Sequence, residues 1–236
     1  MLPKIALTVP TSLTLPAGVV IIRASPTKMA SHGKFITFEG GEGCGKSTHI
    51  EHLVSSLREA GRAVVLVREP GGTDVGEQIR HVLQYSKQSV AMVPETELLL
   101  FCASRAQLVR EIIQPALAAG NVVIADRFFD STTVYQGVGR KITHENVAFV
   151  NRLAIGDCVP DLTLVIDLDP RVGLERAHCR ELFDRMENES LEFYQRVRQG
   201  YLDLAKREPQ RVKVVDGRQS IATVGQQIWE LIERVL

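Results

Sequence analysis

Residues 35–47 decide the fold, and they read Phe35-Ile-Thr-Phe-Glu-Gly40-Gly-Glu-Gly-Cys-Gly-Lys46-Ser47. An apolar run leads into the spacing G-x-x-x-x-G-K-[ST], and an amphipathic helical pattern follows over residues 46–59. Glycines let backbone N–H groups turn inward around phosphate oxygens, and a helix that begins there points the positive end of its dipole at the same anion. The stretch therefore predicts a strand, a phosphate-binding loop and a helix.

Each residue type in this loop has a separate task. Lys46 supplies a positive charge to the terminal phosphates of a nucleoside triphosphate, and the Ser47 hydroxyl suits Mg²⁺, which prefers hard oxygen ligands. The motif predicts binding of a nucleoside triphosphate but not the reaction, since ATPases, GTPases, motors and kinases all use it. The predicted ATP-binding residues are Gly40, Gly41, Glu42, Gly43, Cys44, Gly45, Lys46, Ser47 and Thr48.

The rest of the chain alternates short apolar runs with helical patterns, which predicts a parallel sheet with helical crossovers. We therefore expect an α/β fold of the P-loop NTPase type, a three-layer α/β/α arrangement around a five-stranded parallel sheet. The predicted strands are 35–38, 63–67, 122–125, 162–166 and 212–215, all continuous apolar runs typical of strands buried on both faces. The predicted helices are 46–59, 75–83, 95–117, 144–155, 171–180, 191–207 and 221–235.

Composition limits the class of ligand. The 236 residues are 44% hydrophobic and 24% charged, and Lys plus Arg balance Asp plus Glu, so a nucleic-acid polymer is not the expected ligand. No stretch approaches the roughly 20 apolar residues that span a bilayer. The four cysteines show no metal-binding spacing, which favours reduced thiols in a cytoplasmic protein: Cys44, Cys102, Cys158 and Cys179.

Residues 1–32 differ from the rest because they contain no Asp or Glu and are rich in Ser, Thr and Pro. Pro10 and Pro16 interrupt the apolar positions that a secretory signal would need. A transit peptide stays possible, but we expect either a disordered extension or a start codon assigned too early, with Met29 as the alternative start. A single domain is predicted over residues 33–236.

Polar residues follow the predicted strands at the edge where parallel α/β sheets bind ligands. Asp126 and Arg127 end one strand, so that Asp126 can reach Mg²⁺, directly or through water, and Arg127 faces the gap between donor and acceptor phosphates. Arg68 ends another strand and could grip a second phosphate. Phe101 and Arg105 are four residues apart and share a helix face. Phe101 could stack on a base and Arg105 could hydrogen-bond its edge. The alternative is that Phe101 is an ordinary core residue next to a surface arginine.

Several ordered motifs together resemble bacterial thymidylate kinases over about residue 34 to the C-terminus. They are F-E-G-x-E-G-x-G-K-S-T, R-E-P-G-G-T, L-L-F-x-A-x-R, D-R-[FY]-x-x-S-T-x-x-Y-Q-G, and Pro160-Asp-Leu-Thr-Leu with Asp184-Arg-Met-Glu further on. The resemblance implies phosphorylation of dTMP to dTDP with Mg²⁺ and ATP, in dTTP synthesis, by a homodimer that needs neither nucleic acid nor a membrane.

The resemblance also implies roles for individual residues. Phe101 would stack on thymine, Arg105 would bond O4, and Ser131 and Thr132 would read the N3 side. Tyr135 would crowd the 2′ position of the sugar and Glu42 would lie near its 3′-OH. The full implied dTMP-binding set is Glu42, Arg68, Phe101, Arg105, Arg127, Ser131, Thr132, Tyr135 and Gln136.

A short helical lid over about residues 171–187 is implied as well, with arginines that stabilise the transition state. Gly43 stands where some relatives carry an Arg, so the predicted catalytic residues are Lys46, Arg127 and Arg180, with Arg185 and Arg176 in reserve. Cys44, Phe128 and His178 depart from the residues usual at their positions. Two alternatives stay open: a kinase for another nucleoside monophosphate, and a P-loop ATPase switch without a small acceptor.

Overall fold

The computed structural model describes residues 33–85, 91–178 and 189–236. Five strands form one parallel sheet in the order β2-β3-β1-β4-β5, which confirms the predicted sheet. Each strand extends the prediction at its C-terminal end to a charged residue. The strands are β1 (Lys34–Glu39), β2 (Val64–Arg68), β3 (Val122–Asp126), β4 (Leu162–Asp167) and β5 (Val212–Asp216). All five charged ends therefore meet at the edge where a ligand is expected.

The sheet separates two apolar cores, as alternate side chains of a strand point to opposite faces. Phe35 of β1 packs into one core and Ile36 into the other, and both are almost fully buried. Helices cover both faces, so the three-layer α/β/α prediction is confirmed. They are α1 (Lys46–Glu59), α2 (Asp74–Gln84), α3 (Pro94–Leu108), α4 (Gln114–Ala118), α5 (Phe129–Thr132), α6 (His144–Ile155), α7 (Pro170–His178), α8 (Leu191–Arg207) and α9 (Ile221–Glu233).

Two predicted elements differ from the structure. The single helix predicted over 95–117 is divided, because a π-helical segment, Val109–Ile113, separates α3 from α4. Pro115 lies just beyond it, and a proline inside a helix removes one backbone donor, which a wider turn accommodates. Strand β5 is an edge strand with Val214 43% exposed, so it is not buried on both faces.

One helical region was missed from the sequence. Residues 129–139 form α5 and a second π-helical segment, Thr133–Gly139. Its β-branched residues and glycines disfavour a helix locally, so tertiary contacts must hold it. Asp130, fully buried, forms an ion pair with Arg211 at 2.6 Å, which ties α5 to the start of β5. This region carries four of the predicted acceptor-binding residues.

The predicted extension over 1–32 lies outside the described residues. So does the C-terminal part of the predicted lid, including Cys179, Arg180 and Arg185; its N-terminal part is α7. No helix in the described ranges is long and apolar enough to cross a membrane.

Candidate active site

The loop between β1 and α1 wraps closely because three of its glycines have positive φ angles. Gly40, Gly43 and Gly45 have φ values of 136°, 63° and 96°, conformations that other residues rarely adopt. Gly45 is the N-terminal cap of α1, so the first turn of that helix faces the loop. Lys46 donates to the carbonyl oxygens of Gly41 at 2.9 Å and Gly40 at 3.3 Å. The backbone of the loop therefore shapes this half of the site, and Lys46 is its charged side chain.

A cleft of about 260 Å³ joins this loop to the ends of β2 and β3. It brings together most of the predicted site residues: Glu42, Gly43, Cys44, Gly45, Lys46, Ser47, Thr48, Arg68, Phe101, Asp126, Arg127, Ser131, Thr132, Tyr135 and Gln136. Gly40 and Gly41 line a smaller neighbouring cavity, and Arg105 lines neither. The residues found by sequence motifs thus meet in one place although they are spread over nearly 100 positions.

Glu42, Arg127 and Tyr135 form a charged cluster between the two halves of the cleft. Arg127 donates to Glu42 Oε1 at 2.6 Å and Tyr135 donates to the same oxygen at 3.1 Å. Burial opposes ionisation of Glu42, but the charges of Arg127 and Lys46 outweigh it, and the pKa of Glu42 lies below its usual value. The cluster therefore keeps a carboxylate and a guanidinium charged at the junction.

Arg127 is held in an unusual backbone conformation. Its φ is 68°, in the left-handed region that residues with side chains rarely adopt. The guanidinium bonds Gly40 O at 3.0 Å and Ser131 Oγ at 3.3 Å, and lies 5.1 Å from the centre of the Tyr135 ring. Such strain persists where surrounding contacts fix it, and it is concentrated at functional sites.

Arg68 is held at the entrance of the cleft by protein groups. It donates to both carboxylate oxygens of Glu77, at 2.9 and 3.0 Å, and to the carbonyl oxygen of Pro70 at 3.0 Å. Arg80 donates to the same carbonyl at 2.9 Å and lines the cleft beside Arg68. The guanidinium groups of Arg68 and Arg80 thus lie on the same wall of the cleft. The sequence motifs indicated only Arg68.

Arg105 lies beneath the cleft rather than in its wall. It is 1% exposed, and its guanidinium is surrounded by protein acceptors. Glu69 Oε2 accepts from Nε at 2.8 Å and from Nη2 at 2.6 Å, while Thr132 Oγ1 and Asn151 Oδ1 accept from Nη1 at 3.0 and 3.1 Å. The hydrogen bond from Arg105 to a base therefore stays a prediction, and these contacts make Arg105 a support for the wall above it.

The floor of the cleft also depends on Glu39, a fully buried residue at the end of β1. Its carboxylate accepts from the backbone N–H of Phe128 at 2.8 Å, from Ser131 Oγ at 2.6 Å and from Tyr201 at 2.8 Å. Burial raises the pKa of Glu39 from 4.5 to about 7, and the nearby charge of Asp130 adds to the shift. Glu39 thereby fixes the start of α5 and the hydroxyl of Ser131, which contacts Arg127.

Sequence reasoning missed several residues of this site. Glu39 and Glu69 stand inside the motifs F-E-G and R-E-P-G-G, so their positions were available, but nothing in the motifs showed that their carboxylates are buried. Glu97 accepts from Gln136 Nε2 at 2.7 Å and orients that amide in the cleft wall. The signal for Glu97 is weak, because an acidic residue in the first turn of a helix is ordinary.

The donor atoms of the cleft fit a magnesium ion. Ser47 contributes a hydroxyl and Asp126 a carboxylate, and both line the same cavity as Lys46. Mg²⁺ is commonly held by one or two protein oxygens together with substrate phosphates and water. No cluster of three or more His, Cys, Asp or Glu ligands occurs among residues 33–85, 91–178 and 189–236, so a cage made of protein alone is not found in that part of the chain.

Comparisons with known proteins agree with these features. A family model described as thymidylate kinase matches residues 38–228. A thymidylate kinase of Geobacter sulfurreducens is 52% identical over 195 residues, covering 80% of this chain and 91% of its own. One from Pseudomonas syringae pv. tomato is 48% identical over 204 residues, covering 86% and 97%. A crystal structure of thymidylate kinase from Ehrlichia chaffeensis superposes with a TM-score of 0.69 at 36% identity, covering 86% of this chain and 99% of its own.

Proposed function

The chain belongs to the thymidylate kinase family, and on that premise we propose how its residues transfer a phosphate from ATP to dTMP. The enzyme phosphorylates dTMP to dTDP, with ATP as the phosphate donor. The observation that carries the proposal is the cluster of Glu42, Arg127 and Tyr135. It joins the phosphate-binding loop to the second half of the cleft, where an acceptor phosphate would face the donor.

Transfer needs no covalent intermediate with the protein and no strong general base. A phosphate monoester is already largely dianionic at pH 7, because its second pKa is near 6. The obstacle is the approach of two anions, so catalysis consists of positioning and charge neutralisation. Lys46 and the first turn of α1 neutralise the terminal phosphates of ATP, and Arg127 neutralises the gap between the reacting groups.

Mg²⁺ would be held by Ser47 and Asp126 and would offset charge on the ATP phosphates when bound. The remaining cation is assigned to the lid, where Arg180 is the first choice; Arg180 and Arg185 lie outside the described residues. Arg176, the other reserve, is exposed on α7. A lid arginine there would complete the charge around the transferred group.

The acceptor is held by groups from four segments. Arg68 and Arg127 bind its phosphate, and Phe101, half-buried in the cleft wall, stacks on thymine. Ser131, Thr132 and Gln136 line the site of the base, and Arg105 lies beneath them, bonded to Thr132 and Glu69. The ring of Tyr135 would crowd the 2′ position of the sugar and Glu42 would face its 3′-OH, and the hydrogen bond between Tyr135 and Glu42 supports a shared place for the two groups.

Assembly as a homodimer is supported by an exposed apolar surface on α3 and α6. Leu99, Phe149 and Leu153 are 56%, 60% and 68% exposed, and the two helices pack side by side. A second copy would cover this surface, while α3 lines the cleft through Phe101, which lies on a different side of the helix from Leu99. We place the enzyme in the cytoplasm, in keeping with the buried free thiols of Cys44, Cys102 and Cys158.

The test measures ADP formation from Mg·ATP with dTMP, dUMP, dCMP, dGMP, UMP or no acceptor. We expect rapid turnover with dTMP and less with dUMP, because one methyl group in an apolar pocket is worth only about 1–3 kcal/mol. Little turnover is expected with the others. Rapid turnover with a different monophosphate would identify another nucleotide kinase, and ADP release that needs no acceptor would indicate an ATPase switch.

A further inference from the structure

Tyr201 carries a buried hydroxyl group that the mechanism above does not use. It lies on α8, is 1% exposed, and lines the smaller cavity beside the phosphate-binding loop but not the cleft. A substrate bound in the cleft therefore does not touch it. A buried hydroxyl needs hydrogen-bond partners, and Tyr201 has two of them, Glu39 Oε2 at 2.8 Å and Ser131 Oγ at 2.9 Å.

The hydroxyl groups of Tyr201 and Ser131 form a closed triangle with the carboxylate of Glu39. Glu39 Oε2 accepts from Ser131 Oγ at 2.6 Å and from the Tyr201 hydroxyl. Each hydroxyl has one proton, so when Glu39 is ionised both protons point to its carboxylate. A lone pair of Ser131 Oγ then stays available for the guanidinium of Arg127, from which it accepts at 3.3 Å. The triangle thus sets the place and the direction of the hydroxyl that Arg127 meets.

Arg127 is held by two sets of contacts. Two oxygen atoms of the phosphate-binding loop accept from its guanidinium at 2.6 and 3.0 Å. The second set consists of Ser131 Oγ and the ring of Tyr135, whose centre lies 5.1 Å from the guanidinium carbon. Tyr201 contacts both members of the second set, because its ring also meets that of Tyr135 edge to face at 6.4 Å between centroids.

The two sets of contacts compete for one guanidinium group. The carboxylate of Glu42 in the loop is the stronger partner, because an ion pair at 2.6 Å outweighs a hydrogen bond to a neutral hydroxyl at 3.3 Å. When the Ser131 hydroxyl is free to turn away, Glu42 draws the guanidinium toward the loop. The group that fixes Ser131 therefore decides how far Arg127 reaches toward the acceptor half of the cleft.

We propose that the hydroxyl of Tyr201 is a positioning group that holds Arg127, through Ser131, in the gap between the donor and acceptor phosphates. The proposal rests on the proposed function, since it assigns Arg127 to that gap. Tyr201 itself contacts neither substrate nor the reacting atoms. Its effect is on the geometry of the cation, and a small misplacement of such a group lowers the rate of transfer more than it lowers binding.

The substitution Tyr201→Phe tests the hydroxyl alone, because it keeps the ring against Tyr135. We expect kcat with dTMP to fall about fivefold, since the cation between the reacting groups is displaced. The KM for ATP should stay within about twofold of the wild-type value, because Lys46 and the loop backbone are unchanged.

A double-mutant cycle with Arg127→Ala separates positioning from structural support. When Arg127 is absent, Tyr201→Phe should change kcat by less than about twofold, because the group that it positions is no longer there. A hydroxyl that only supports the fold would cost the same factor in both backgrounds. The slow variants are assayed at higher enzyme concentration, so that all four rates are measured.

Val197→Ala is the matched control for a loss of packing on α8. Val197 is fully buried one turn before Tyr201, and its aliphatic side chain makes no hydrogen bond. The substitution should lower the melting temperature and leave kcat unchanged. Thermal unfolding of each variant then shows whether activity follows the stability of α8 or the presence of the Tyr201 hydroxyl.

If Tyr201→Phe does not fold, Ser131→Ala takes its place in the cycle, since it cuts the same chain of hydrogen bonds at the next link. Equal losses in the two backgrounds, or a kcat for Tyr201→Phe within about twofold of wild type, would overturn the proposal and leave Tyr201 as a support for Glu39. Failure of the wild-type enzyme to use dTMP would instead contradict the proposed function, so the two failures are distinguishable.

Discussion

The two halves of the cleft are built in different ways. The donor half comes from one continuous stretch, Gly40–Ser47, and depends on backbone conformation at three glycines. The acceptor half comes from β2, α3, β3 and α5, and depends on pairs of buried charges such as Glu69 with Arg105. The comparison teaches that the donor half should be sensitive to added side-chain volume, and the acceptor half to loss or titration of a carboxylate.

The largest expected effect concerns the charge at the centre of the donor half. Lys46→Ala should lower kcat about 10³-fold, or about 4 kcal/mol, because no other described group supplies a positive charge within the loop. Lys206→Ala is the control, since Lys206 lies on α8 with its side chain 74% exposed and should leave kcat unchanged. A kcat for Lys46→Ala within about threefold of wild type would contradict the role assigned to Lys46.

Arg127 joins the two halves, so its removal should affect both. Arg127→Ala deletes the cation that we propose for the gap between the reacting phosphates, and it leaves the half-buried Glu42 without its closest partner. We expect kcat to fall about 10²-fold and the KM for dTMP to rise. Tyr135→Phe, which removes only the 3.1 Å hydrogen bond to Glu42, should cost far less. Similar kinetics in the two variants would show that Arg127 acts only through Glu42.

The same difference explains what the sequence could predict. The donor half comes from one continuous stretch of sequence, so its motif predicted where the loop, the helix cap and Lys46 lie. The sheet was predictable because its strands are continuous apolar runs. Residues 129–139 were missed because their helical conformation depends on distant contacts, Asp130 with Arg211 and Phe128 with Glu39. No spacing in the sequence reports that Glu69 and Arg105 meet across 36 positions.

The pH dependence of stability tests the acceptor half through the titration of Glu39. Its pKa is raised from 4.5 to about 7, so between these values the folded protein holds a proton that the unfolded chain has lost. Stability contributed by this group is therefore present at low pH and lost as pH rises through this window. The free energy of unfolding of wild type minus that of Glu39→Gln should fall by up to about 3 kcal/mol from pH 4.5 to 7.5.

Chemical denaturation of both proteins at several pH values measures this difference. Subtracting the value for Glu39→Gln removes the contribution of all other titrating groups. Asp130, Arg127, Ser131 and Tyr201 surround Glu39 and set the size of the shift, so they must be left intact. A difference that is flat, or that rises with pH, would show that Glu39 stays ionised in the folded protein.

A larger side chain in the phosphate-binding loop tests the donor half. A side chain on Gly43 would collide with the backbone carbonyl of Gly173 on α7, and Gly43 has a φ of 63°. Gly43→Ala should therefore destabilise the protein by about 2 kcal/mol, because neither backbone can yield as a flexible side chain would. Gly41 in the same loop is the matched control, as nothing lies within 4 Å of an added Cβ and its φ is not positive.

Thermal unfolding of the two alanine variants compares them directly, without any reference to catalysis. A clear loss of stability in Gly43→Ala but not in Gly41→Ala would show that close contact between the phosphate-binding loop and α7 restricts the donor half. Equal stabilities would mean that α7 can move away from the loop at little cost.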